Sequence, residues 1–198
     1  MLEHLNKDEI DKLGNAIIFF SNKFPNLSKT SILKLIYLTE EYCVIKYGIP
    51  MFNLDYKVWQ MGPVNVSLYF ELTNDEGLKL LKDYIKIEIN STGYRFIKAI
   101  KEFSSDEFSS NDISVLEYIA TEYKGWNANE LIERCHENDT EWYRIAKENG
   151  LLEMFENESL ATSDFKIELN KLVENDPLKS ATFESYIEFK EFSKNMKQ

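Results

Sequence analysis

Apolar residues recur along most of this chain at helical spacing, interrupted by a few short alternating stretches. Asn6 stands three residues before Glu9, a pair able to cap a helix whose apolar face is Ile10, Leu13, Ile17, Phe20 and Phe24, with Pro25 as its stop. Ser28 opens a second helix. Leu35, Leu38, Tyr42 and Ile45 form one stripe on it, and Ile32, Ile36 and Cys43 widen that stripe, as suits a central helix with neighbours on two sides. Gly48 and Pro50 end it. Residues 55–60 alternate enough for a short strand, and Gly62-Pro63 forms a corner. Pro63 is expected to open the next helix, which carries Val66, Tyr69, Phe70 and Leu72 and stops before Gly77.

The strongest β pattern follows. Residues 84–89 alternate around isoleucines, 90–93 read as a turn and 94–97 return. A two-stranded hairpin is marginal alone, so it must pack on the helices or pair with Val58-Trp59. Further helices are expected from Asn111 (Ile113, Leu116, Ile119, Ala120, Tyr123), from Asn127 with Glu130 (Leu131, Ile132, Cys135) and from Asp139 (Trp142, Tyr143, Ile145) to Gly150. Beyond it, 151–155 looks packed and 156–164 is a polar connector. Residues 165–173 and 182–196 read as amphipathic helices split by Asn175-Asp176-Pro177. The fold class is therefore α+β, predominantly α-helical: a compact helical domain with a small antiparallel β-hairpin or three-stranded sheet. The expected division is a helical domain over 1–150 and a C-terminal helical extension or interaction arm over 151–198.

Composition supports this class. Among 198 residues 43% are hydrophobic and 14% aromatic, while seven glycines and four prolines are too few for a glycine-rich sandwich or barrel. The formal net charge is −11, and no run of Lys and Arg offsets it, so direct nucleic-acid binding is not expected. The acidity either serves solubility or meets a basic partner. Cys43 and Cys135 belong to no CxxC pair and read as buried free thiols of a reducing cytoplasm. The N-terminus lacks a basic region followed by an apolar run, and no apolar stretch approaches the roughly 20 residues that span a bilayer, so neither secretion nor membrane insertion is expected.

Candidate chemistry is sparse. No GxGxxG, Walker-type, GxSxG or HExxH pattern occurs, and His4 and His136 are the two histidines. Cys135 and His136 suggest a thiol and its base, but neighbours on a helix point about 100° apart, so a structural thiol beside a hydrogen-bonding histidine is the better reading. Glu40-Glu41 is either an acid pair or the solvated edge of the second helix, and the edge is the ordinary reading. Asp75-Glu76 and Glu137 with Asp139 lie near turns without the ligand pattern of a calcium loop. Trp59, Trp142 and Tyr143 invite base stacking, but only Lys57 and Arg144 lie near them, so packing accounts for them better.

Four segments carry a resemblance. They are residues 31–37 (SILKLIY), 47–52 (YGIPMF), 59–64 (WQMGPV) and 131–136 (LIERCH) followed by Trp142. In order and spacing they resemble the Panacea domain, the family of SocA-like antitoxins of bacteria and phages, over about residues 27–150. That family carries a KLQKLLY-type helix, a YGxPLF exit, a WxxGPV corner and a late LxxxTH…W helix pair. Ser31 and Leu33 here replace the usual Lys and Gln, and Cys135 replaces the usual Thr. The resemblance implies a cytoplasmic, non-enzymatic antitoxin that neutralises a cognate protein toxin by direct contact, in one branch by presenting it to a protease. No metal or cofactor is expected. The carried-over positions are Tyr37, Gly48, Pro50, Trp59, Gly62, Pro63, Val64, His136 and Trp142, none of them catalytic. Gly62 and Pro63 would set a corner, Trp59 and Trp142 would pack, and His136 would tie helices. Two alternatives stay open: a thiol- or carboxylate-dependent hydrolase using Cys135, His136 or Glu40, and an acidic nucleic-acid mimic or other phage-associated interaction protein.

Overall fold

The computed structural model describes residues 2, 5–74 and 77–196, without the side chains of 194 and 195. His4 and the Asp75-Glu76 pair lie outside the described residues. Among those described, eight α-helices surround one another in a mainly helical α+β fold with two small antiparallel sheets. The first helix, α1 (Lys7–Lys23), carries the full capping box: Glu9 N–H donates to Asn6 Oδ1 at 3.0 Å and Asn6 N–H to Glu9 Oε2 at 2.8 Å.

The second helix, α2 (Lys29–Tyr47), is the centre of the molecule. Ser31 N–H donates to the Ser28 cap at 2.9 Å, and the helix ends at Gly48 with φ 71°. A Cβ at Gly48 would also stand 2.7 Å from the carbonyl oxygen of Lys179, so glycine is needed there for both conformation and close approach. Nearly all of the helix from Ser31 to Val44 is buried, polar positions included. Such burial follows from its neighbours: α1, α3 (Val66–Thr73), α4 (Ser110–Glu122), α5 (Ala128–Cys135) and α8 (Pro177–Met196) all touch it.

Strands β1 (Tyr56–Trp59) and β2 (Gly62–Val64) form a tight antiparallel pair with Trp59 opposite Gly62 and Val58 opposite Pro63. Pro63 thus belongs to a strand and does not open α3. It is tolerated because β2 is a sheet edge, where a missing N–H breaks no ladder. Asn65 performs the capping instead, its Oδ1 accepting from Leu68 N–H at 2.8 Å.

The second sheet is the hairpin β3 (Ile85–Ile89) and β4 (Arg95–Ala99), which packs on α1 and does not join β1. The other edge of β1 takes β5 (Lys166–Ile167). Residues 165–173 therefore form a strand and a 3-10 turn (Leu169–Val173) in place of the expected helix. Ile167 and Leu169, two apart, both turn inward, and Val173 joins them in the core.

Three helix starts shift by a residue or more from expectation. Ser109 caps α4 in a box with Asp112, and Thr140 caps α6 (Glu141–Glu148). Helix α8 begins at Pro177, whose fixed φ suits a first turn, with Lys179 N–H donating to Asp176 Oδ1 at 3.1 Å. The Asn127–Glu130 box on α5 forms as read, and α7 (Leu151–Glu156) follows α6 directly.

Candidate functional site

Lys34, Tyr37 and Glu41 lie at i, i+3 and i+7 on α2, one face of the helix, and that face is fully covered. Lys34 is 1% exposed, and its Nζ donates to the Pro63 carbonyl at 2.8 Å. Burial pulls its ammonium down to about 8, partly offset by the neighbouring Cys135 thiol. Gly62 has φ +92°, and a Cβ there would meet Lys34 Cε and Nζ at 3.1 Å and Cys135 Cβ at 3.5 Å. The corner is thus built around the lysine: only a residue without a side chain admits both the backbone angle and the buried amine.

Glu40 and Glu41 are not a solvated edge. Glu40 is wholly buried, its Oε2 accepting from Phe52 N–H at 2.9 Å and its Oε1 from Leu54 N–H at 3.0 Å. One carboxylate therefore holds the chain just after the 47–52 exit against the middle of α2. Burial raises its carboxyl to about 7, against the lowering effect of the Leu54 and Phe52 N–H groups. Glu41 accepts from Tyr37 O–H at 3.0 Å and faces Arg134 at 3.9 Å. Its carboxyl is raised by burial, opposed by the Tyr37 hydrogen bond and the Arg134 charge. Tyr37 meets Tyr56 edge to face at 5.1 Å, and the Tyr56 hydroxyl, also buried, has no partner among the described residues.

The second part of the cluster is aromatic. Trp142 Nε1 donates to the Trp59 carbonyl at 2.9 Å, fastening α6 to the end of β1. His136 stacks on Trp142 with ring centres 3.8 Å apart, and Trp142 stacks on Phe155 of α7 at 5.9 Å. His136 ties the elements together by stacking, not by the expected hydrogen bond: its buried Nε2 has no partner among the described residues. Burial, helped by the Lys34 charge, lowers the imidazole to about 4. Beside the stack lies a cavity of about 360 Å³ bordered by Gln60, His136, Trp142, Tyr143 and Phe155.

Tyr37, Gly62 and Pro63, together with Trp59, His136 and Trp142, therefore gather around the β1–β2 corner. Val64 is buried in the same strand. Gly48 and Pro50 are buried at the far end of α2, where Gly48 abuts Lys179. Lys34, flanked by Leu33 and Leu35 inside an apolar helix, is the functional residue that motif spacing does not single out, and its visible signal is that apolar setting. A helix buried on every side leaves such a residue no route to water, so it must find an acceptor inside.

Cys135 and His136 are not arranged as a thiol and its base. Burial raises the Cys135 thiol to about 12, the reverse of what a nucleophilic thiolate needs, and His136 Nε2 meets neither thiol nor carboxylate. Glu137 and Asp139 both face Arg134, at 3.2 and 3.5 Å. Arg144 pairs with Glu141 and Glu148, and Lys57 with Asp164, so the basic residues near the tryptophans are engaged. Among the described residues no group of three or more His, Cys, Asp or Glu could hold a metal ion, and no helix is long and apolar enough to cross a membrane.

No curated protein and no solved structure matches the chain. A family model does: that of the antitoxin SocA-like, Panacea domain, over residues 32–143, a span opening on α2 and closing one residue past Trp142. The match takes in more than half of the chain and the whole β1–β2 corner with its lysine and tryptophans, and by it the chain belongs to the SocA-like antitoxin family of the Panacea domain.

Proposed function

We propose that this chain is a non-enzymatic antitoxin that neutralises a cognate protein toxin by direct contact in the cytoplasm. The observation that carries the reading is the family match over 32–143. The geometry supports it, because the motif residues are spent on architecture. Lys34 holds the corner, Glu40 holds the loop after α2, and Trp142 holds β1. Cys43 and Cys135 are free and buried, as a reducing compartment permits. On this reading the shared cluster maintains a scaffold, and the partner is chosen by surface residues outside it.

Co-expression with the neighbouring open reading frame tests the proposal. The neighbour alone should arrest growth, and this chain should restore it. The reading fails if the neighbour is harmless, or stays toxic beside soluble antitoxin. Following the toxin's abundance separates two modes. Sequestration leaves the toxin level unchanged, whereas an adaptor role lowers it in a protease-dependent way.

A further inference from the structure

Helix α8 is half used. Phe183 packs against the core, Lys179 pairs with Asp176, and Lys190 pairs with Glu9 of α1. The opposite side carries Leu178, Phe189, Phe192 and Met196, exposed by 77, 65, 62 and 73%. Together with Thr182 and Ser185 these fall at alternating steps of four and three residues, a single stripe along about five turns of helix. Isolated apolar residues at a surface are ordinary, but four large ones in register on one helix face are an unfilled contact.

Charge indicates what fills it. Glu184, Glu188 and Glu191 are exposed along one flank of the stripe, and among the described residues none of them has an ion pair within the chain. The described lysines of the helix, Lys179 and Lys190, are already engaged. A membrane surface does not fit, since helices that lie on anionic bilayers carry lysine and arginine at their polar edges. A second copy does not fit either. Antiparallel pairing of two such stripes would bring the glutamate flanks together. Parallel pairing would set them against Lys179, Tyr186 and Ser193, which offer no free cation. The net charge of −11 adds repulsion between copies.

We infer that the outer face of α8 docks, helix into groove, on a partner protein whose apolar groove is edged by lysine or arginine. Phe189 and Phe192 are the anchors, and Glu184, Glu188 and Glu191 set orientation and encounter rate. The inference rests on the antitoxin reading for the partner's identity, the toxin.

The test uses the full chain and the purified product of the neighbouring reading frame. Three forms are compared: wild type, Phe189→Ser with Phe192→Ser, and E184K/E188K/E191K. Circular dichroism checks folding, and light scattering reads the oligomeric state. Wild type should bind and neutralise, and the serine variant should bind at least roughly tenfold more weakly. The lysine variant should associate more slowly and lose most of the salt dependence of association. If wild type neutralises the toxin and both variants bind as wild type does, the docking face is wrong while the antitoxin reading stands. If the serine variant instead turns a dimer into a monomer with toxin binding unchanged, the occupant is a second copy and the inference is overturned. If wild type neither binds nor neutralises its neighbour, the antitoxin reading and this inference fall together.

Discussion

Glu40 sets two opposing effects against each other inside one helix. Burial favours the neutral carboxyl, while the N–H groups of Phe52 and Leu54 favour the carboxylate. Burial wins and raises the group from its ordinary value of 4.5 to about 7. Between those values the folded chain holds a proton that the unfolded chain has released. Stability therefore falls as pH rises: Glu40's contribution is full below about 4.5 and is lost through about 7. The full difference is about 3 kcal/mol, at about 1.4 kcal/mol for each factor of ten in proton affinity. Glu40→Gln removes the titration. It also sets an amide NH2 against one of the two N–H groups, a pH-independent cost of about 1–3 kcal/mol. Urea unfolding of both proteins between about pH 5 and about pH 8 measures the contrast, and subtraction cancels the other titrating groups. Wild type should lose about 2 kcal/mol relative to the variant over that range. A difference that stays flat would mean a solvated carboxylate. A difference of opposite slope would mean that the two N–H groups outweigh burial, and either result refutes the argument.

Gly62→Ala should cost about 2 kcal/mol or more, from positive φ and the 3.1 Å approach to Lys34, lowering Tm by about 4–8 °C in a thermal scan. In a Lys34→Met background the contact part of that loss should shrink while the backbone part remains, so equal losses in both backgrounds would remove the lysine from the explanation. His136 should titrate near pH 4 in an NMR experiment, not near 6.5, and its burial should make the fold gain stability as pH rises between those values. Trp142→Phe keeps the stack but loses the bond to the Trp59 carbonyl, and should cost about 1 kcal/mol in urea unfolding, against about 3–5 kcal/mol for Trp142→Ala.

Local chemistry made much of the molecule readable in one dimension. The Asn6–Glu9 and Asn127–Glu130 boxes, the Ser28 cap, the Gly48 stop and the 85–99 hairpin all depend on residues a few positions apart, and all form. The family, too, was legible, because its four segments are contiguous strings.

Tertiary structure decided what depends on distant neighbours. Residues 165–173 have a helical pattern, yet the open edge of β1 and the hydrogen bonds it needs draw Lys166–Ile167 into a strand. Pro63 suits a helix start, but the pairing of β2 with β1 places it in an edge strand, where its carbonyl accepts from Lys34. Glu40-Glu41 looked like surface because charge normally is. Only the packing of α1, α4, α5 and α8 around α2 reveals that it has no surface left. By itself the sequence determined where most of the helices lie and to which family the chain belongs. The encirclement of α2 decided which of its charges became the internal fastenings of the corner, because a buried charge must find its partner wherever the rest of the chain happens to pass.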